Sequence, residues 1–230
     1  MDSTDVITID GPAASGKSTL AKRLALRAGW SFLETGALYR GVAHAAMKAG
    51  VLGESREFLG KFAWDLNLAL KFGEERNLVF LDGEDATDLL RLPGVAELAS
   101  ELSSIPEVRH SLTHIQRKAG EKGRLVTEGR DQGTAIFPEA RLKFFLTADA
   151  GVRAERRRTE LLAKGIVVSP EEVLRDLVAR DEIDRNKSVA PLVEPEDSVR
   201  IDSSRLNPDE VLEIMLARAR ETFGENFANP

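Results

Sequence analysis

The chain has 230 residues, 30% charged and 42% from the AVILMFWYC set, ordinary globular values that exclude a wholly disordered protein. Its 32 Lys and Arg against 38 Asp and Glu leave a net charge of −6, which argues against sequence-independent nucleic-acid binding, because that needs a basic surface. Cysteine is absent, which excludes disulfides and thiolate metal sites. No apolar run approaches the ~20 residues of a membrane span, and the acidic start Met1-Asp2-Ser3-Thr4-Asp5-Val6 is unlike a signal peptide, so a cytoplasmic protein with no membrane partner is expected.

Val6-Ile7-Thr8-Ile9 reads as a short β-branched strand ending at Asp10-Gly11-Pro12. A helix follows over 17–28, with Leu20, Leu24 and Ala28 on one face and Gly29 as its stop. Ser31-Phe32-Leu33 is a second strand, and 39–49 a helix closed by Gly50. The pattern changes over 67–88. There Leu68-Ala69-Leu70-Lys71-Phe72 and Leu78-Val79-Phe80-Leu81-Asp82-Gly83 flank the polar turn Gly73-Glu74-Glu75-Arg76-Asn77, as in a small antiparallel hairpin. Helical patterns run from about 93 to 119. Leu125-Val126-Thr127-Glu128 and Leu142-Lys143-Phe144-Phe145-Leu146 are two further strands, 152–164 and 170–184 charged helices, and Ser198-Val199-Arg200-Ile201-Asp202 a fifth strand. A last helix opens at Asn207, a candidate N-cap, with Pro208 in its first position. Strands alternating with helices predict one α/β domain, a five-stranded parallel sheet with helices on both faces, and the hairpin region as an insertion.

Gly11-Pro12-Ala13-Ala14-Ser15-Gly16-Lys17-Ser18 fits the phosphate-loop pattern G-x-x-x-x-G-K-S/T, placed after a strand and opening a helix. Backbone N–H groups of such a loop wrap a phosphate chain at the positive end of a helix. Lys17 is expected to reach the β- and γ-phosphates of a nucleoside triphosphate, and the Ser18 hydroxyl to ligate Mg²⁺, with Thr19 completing the site. Asn186-Lys187-Ser188-Val189 lacks the acid of a guanine-reading N-K-x-D, so a GTP switch is not expected.

Two further clusters follow strands, where open α/β sheets bind ligands. Thr35 and Arg40 follow the second strand; Glu128, Arg130 and Asp131 follow the third. Glu128 is placed as the acidic partner of Mg²⁺, and Arg130 as a fork for a second phosphate. Read singly, Thr35 is a helix cap, Arg40 a solvated helix residue and 128–131 a turn; read beside the loop they predict phosphoryl transfer to an acceptor that already bears a phosphate. Such an acceptor needs no strong base. His110 and His114 have metal-like i, i+4 spacing without a third ligand and read as helix-surface residues. Arg153, Arg156, Arg157 and Arg158, then Arg180, Arg185 and Lys187, flank a turn-rich stretch at 164–170. They suggest a mobile cationic lid near 150–170 that sets arginines on the transferring group. On these residues alone another small acceptor, such as UMP or shikimate, stays open, as does a nucleotide-gated binding module without turnover.

Taken together, 9–19, Thr35-Gly36-Ala37-Leu38-Tyr39-Arg40, Glu128-Gly129-Arg130-Asp131-Gln132-Gly133-Thr134, Arg180-Asp181 with Asp184-Arg185-Asn186, and Val189-Ala190-Pro191-Leu192 resemble the bacterial-type cytidylate kinases over nearly the whole chain. The resemblance implies a P-loop kinase whose partners are ATP with Mg²⁺ and CMP or dCMP. It implies a nucleoside-monophosphate-binding region over 35–120, with a β insert near 67–88, and a short lid. Thr35, Arg40 and Arg130 would grip the acceptor phosphate. Ser100, Arg109 and Asp131 would read the cytosine edge, Arg180 and Asp184 would hold the ribose, and Lys17, Arg130 and Arg157 would act on the transferred group. Two positions depart from the family pattern: Glu128 stands where Asp is frequent, and Lys187 where Arg is common. A monomer is expected, since no unpaired apolar helix face stands out.

Overall fold

In the computed structural model, which describes residues 5–73, 77–163, 165–224 and 227, the elements run β1 (Val6–Asp10), α1 (Lys17–Ala28), β2 (Ser31–Glu34), α2 (Thr35–Ala49), α3 (Arg56–Asp65), β3 (Leu68–Lys71), β4 (Leu78–Leu81), β5 (Glu84–Asp85), α4 (Val95–Leu102), α5 (Pro106–Gly120), β6 (Leu125–Gly129), β7 (Leu142–Thr147), α6 (Ala150–Ala163), α7 (Pro170–Asn186), β8 (Val199–Asp202) and α8 (Pro208–Phe223). The acidic start over 1–4, the turn at 74–76 and Lys164 lie outside the described residues.

Five parallel strands form the main sheet in the order β2-β6-β1-β7-β8. Successive side chains of a strand point to opposite faces, so each strand feeds two cores. Val6, Leu33 and Leu125 pack with Leu38, Val42, Leu59 and Leu112 on one face, and Ile7, Ile9, Val126 and Phe144 with Leu24, Met215 and Leu216 on the other. The continuous apolar strand runs of the sequence follow from this two-sided burial.

The structure departs from expectation in three places. The insertion is a three-stranded antiparallel sheet, β3-β4-β5, because Asp82 and Gly83, at φ 52° and 84°, turn the chain back into a short third strand. No periodic pattern marks an element over 56–65, yet α3 forms there, with Ser55 accepting the Phe58 N–H at 3.2 Å and Leu59 and Ala63 buried on one side. Helix α2 starts at Thr35, not near 39; Glu34 holds the cap position in extended conformation. Thr35 therefore does not cap the helix, and its hydroxyl donates instead to the Glu128 carbonyl at 2.9 Å.

Asn77 ties the insertion to the main sheet. Its Nδ2 donates to Phe32 O at 2.6 Å and its Oδ1 accepts the Glu34 N–H at 2.8 Å. Since β2 is an edge strand, this side chain supplies the amide pairing that a neighbouring strand would give.

Candidate active site

Register sets the site. Asp10 pairs with Gly129 and Glu34 with Glu128, so three adjacent parallel strands end at one level. The phosphate loop, Thr35 at the head of α2, and Arg130 leave those ends and line one cavity of about 390 Å³.

At the start of the loop Gly11 has φ 149°, and a Cβ there would lie 2.0 Å from the Leu146 carbonyl oxygen, so only glycine lets the loop pass β7. Ala14 at φ 57° and Gly16 at φ 96° complete the turn into α1. Ala13, Ala14, Gly16, Lys17, Ser18 and Thr19 line the cavity; Gly11, Pro12 and Ser15 build the loop behind them. Lys17 folds back onto this frame, donating to Pro12 O at 2.6 Å, with Ser15 Oγ at 3.4 Å. Burial, with Arg130 beside it, lowers the Lys17 ammonium to about 7. Asp10 received no role from the sequence. It is buried, accepts the N–H groups of Gln132 and Gly133 at 2.9 and 2.7 Å, and is raised by burial to about 6. It pins the turn after β6 to the end of β1.

The opposite wall carries the other expected residues. Thr35, Arg40, Ser100, Arg109, Arg130, Asp131, Arg180 and Asp184 all line the same cavity. Arg40 pairs with Glu34 at 2.6 Å. Arg109 pairs with Asp131 and donates to Ser103 O at 3.1 Å. Arg130 Nε donates to Asp184 Oδ2 at 2.8 Å, while Lys187 Nζ lies 3.0 Å from both Asp184 Oδ1 and Ser103 Oγ. Burial would raise the Asp184 carboxyl, but Arg130 and Lys187 together bring it below the usual range. Asp131 goes the other way: burial raises it despite Arg109. Arg180 is lowered by burial and by Arg130 nearby.

The arginine-rich segment divides. Arg157 lines the cavity and pairs with Glu160 at 3.1 Å. The rest of its cluster on α6 does not line the cavity, contrary to expectation. Arg153 is buried against Ala13 and Asp181, Arg156 donates to Ser203, and Arg158 pairs with Glu155 along its own helix. Arg185 is exposed. These positions lie at three different angles on α6, which a residue count along the sequence does not register. His110 and His114 stand exposed with ring centroids 6.0 and 5.8 Å from Trp64.

For a cation, Ser18 and Glu128 line the cavity beside the loop, and burial raises the Glu128 carboxyl against the pull of Lys17. Two hard oxygen donors at the phosphate loop suit Mg²⁺, which keeps several waters and phosphate oxygens as its other ligands. Among the described residues no group of three or more His, Asp and Glu could hold a metal by itself.

A parallel five-stranded sheet with its phosphate loop between β1 and α1, facing a second cationic wall, defines a P-loop kinase fold. A gluconokinase structure from Sinorhizobium meliloti 1021 shares that fold, with a TM-score of 0.51 at 15% identity over 98% of this chain and 97% of that one. The particular family is set by sequence: the cytidylate kinase family model matches residues 7–221, and the chain belongs to that family. A cytidylate kinase of Klebsiella pneumoniae (strain 342) is 43% identical over 216 residues, 94% of this chain and 95% of the relative. One from Carboxydothermus hydrogenoformans is 42% identical over 210 residues, 91% and 95% respectively. Among the described residues no helix is long and apolar enough to cross a membrane.

Proposed function

We propose that the protein transfers the γ-phosphoryl group of ATP to CMP or dCMP, giving ADP and the nucleoside diphosphate. The carrying observation is that one cavity joins the phosphate loop to Arg40, Arg130 and the Arg109–Asp131 pair. Family membership does not favour UMP or shikimate as the acceptor.

In this reading Thr35, Arg40 and Arg130 hold the acceptor phosphate, one of whose oxygens attacks the γ-phosphorus. That bond forms as the β–γ bridging P–O bond breaks, and the electron pair leaves on the β-phosphate of ADP. The attacking oxygen is already anionic and the bridging oxygen departs as part of the anionic β-phosphate, so neither needs a strong base, and the chain's work is alignment and charge neutralisation. Lys17 and the loop N–H groups receive the β- and γ-phosphates, with Arg130 and Arg157 at the transferred group. Ser18 and Glu128 would hold Mg²⁺, which supplies charge neutralisation at the β- and γ-oxygens when bound. Ser100, Arg109 and Asp131 offer cytosine donors and acceptors matching its amino group, ring nitrogen and carbonyl. Arg180 and Asp184 serve the ribose hydroxyls. The region over 35–120 then forms the acceptor side, and 150–170 the lid.

An acceptor panel with ATP and Mg²⁺ tests this. CMP and dCMP should release ADP well above AMP, UMP and shikimate. CMP turned over no faster than shikimate or AMP overturns the reading.

A further inference from the structure

The α6–α7 hairpin meets the phosphate loop through a buried ion pair whose members stay out of the cavity lining. Arg153 is 4% exposed, and each of its three guanidinium nitrogens has a partner. Nε donates to Ala148 O at 3.0 Å, Nη1 to Ala13 O at 3.0 Å, and Nη2 lies 2.7 Å from Asp181 Oδ2. Asp181 is 2% exposed, and its other oxygen, Oδ1, has no hydrogen-bond partner. A deeply buried pair with an idle acceptor is a poor way to gain stability. Its geometry suits another task.

Holding the Ala13 carbonyl fixes the plane of the Ala13–Ala14 peptide. In a planar trans peptide the next N–H points the opposite way, so the Ala14 N–H is turned away from the guanidinium. Ala13 and Ala14 both line the cavity, and Ala14 already holds a left-handed φ of 57°. At its other end Arg153 grips α7, where Asp181 sits between Arg180 and Asp184, two cavity residues of the opposite wall. Ala13 also packs with Ala154, Val173 and Leu177 in a small apolar cluster between loop and hairpin. One side chain therefore touches the donor loop and the helix bearing acceptor-side groups.

We propose that Arg153 is a positioning residue that couples occupancy of the phosphate loop to the placement of α7. It orients the Ala13–Ala14 peptide for the donor phosphates and, through Asp181, sets where Arg180 and Asp184 stand. The proposal rests on reading the loop as the donor site and α7 as acceptor-facing. Lysine keeps the charge facing Asp181 but cannot bridge two partners as the guanidinium fork does. Arg153→Lys should thus keep the thermal stability that Arg153→Met loses, while both lose the coupling.

Hydrogen exchange with a non-hydrolysable ATP analogue tests this without any acceptor. In the wild-type protein the analogue should slow exchange of the amides at 177–186 about tenfold, a usual size for coupling between two sites. In Arg153→Lys and in the isosteric Asp181→Asn, at equal analogue saturation by calorimetry, that slowing should disappear. In steady state the same variants should raise the KM for CMP at saturating ATP more than they lower kcat. Equal slowing in wild type and variants, or none in the wild type, overturns the proposal. Absence of CMP turnover by the wild-type protein would instead sink the kinase reading, because the exchange measurement needs only the donor analogue.

Discussion

Under the proposed function, Lys17 shows how burial makes a phosphate-binding lysine pH-linked. The residue is 5% exposed, and its ammonium is lowered to about 7, through burial first and Arg130 second. A triphosphate in the loop favours the charged form and raises that value again. Between about pH 7 and the raised value, ATP binding must take up a proton, and affinity must weaken as pH climbs. Calorimetry at pH 8 in buffers of differing ionisation enthalpy should show uptake approaching about one proton per ATP; zero uptake would mean that Lys17 is charged before the ligand arrives. The loop was legible in the sequence because its chemistry needs contiguous residues at fixed spacing. Asp10 and Glu34 carry no such local signal, for opposite reasons. The partners of Asp10 lie at Gln132 and Gly133, more than a hundred residues away. Glu34 is six residues from Arg40, but only the bend from β2 into α2 brings them together.

Among the elements, the five core strands were readable because burial on both faces writes unbroken apolar runs. The insertion was harder, being short, half-exposed and held by single side chains. Asn77 is the clearest example, since nothing local marks it off from a turn residue. Replacing it with Ala would leave Phe32 O and Glu34 N at the sheet edge without their amide, at a cost of ~1–3 kcal/mol. Asn77→Ala should therefore lower the urea midpoint by that equivalent with the slope unchanged, and an unmoved midpoint would mean that the pair is worth nothing. Because Glu34 caps α2, the same variant should also raise the KM for CMP through Thr35 and Arg40. The sequence missed α3 for a related reason: its Ser55 cap and buried Leu59 and Ala63 form a minimal signal beside exposed Phe58 and Trp64. The arginine cluster failed differently. Residue type was right, but rotation along α6 left only Arg157 facing the cavity.

For the molecule as a whole, a chain of net charge −6 gathers seven cationic side chains and five carboxylates around one cavity. Each ligand at a hundredfold excess over its dissociation constant stabilises by about 2.7 kcal/mol, roughly 5–10 °C for a domain of this length. With donor and acceptor sites joined by a shared cavity and by Arg153, the non-hydrolysable ATP analogue and CMP together should raise the melting temperature by more than the sum of their separate shifts. Strict additivity would speak for two independent sites. The internal pairings of that cavity, Glu34 with Arg40, Asp131 with Arg109 and Asp184 with Arg130, have a consequence for selection. Each guanidinium is already occupied by a tethered understudy. A stray inorganic anion must evict a neighbour that never diffuses away, and gains little by the exchange. Under the proposed function, only a visitor bringing phosphate, sugar and base at once would re-employ the displaced carboxylates as well as the arginines, and the resting site would screen out simple salts by rehearsing its complex with its own side chains.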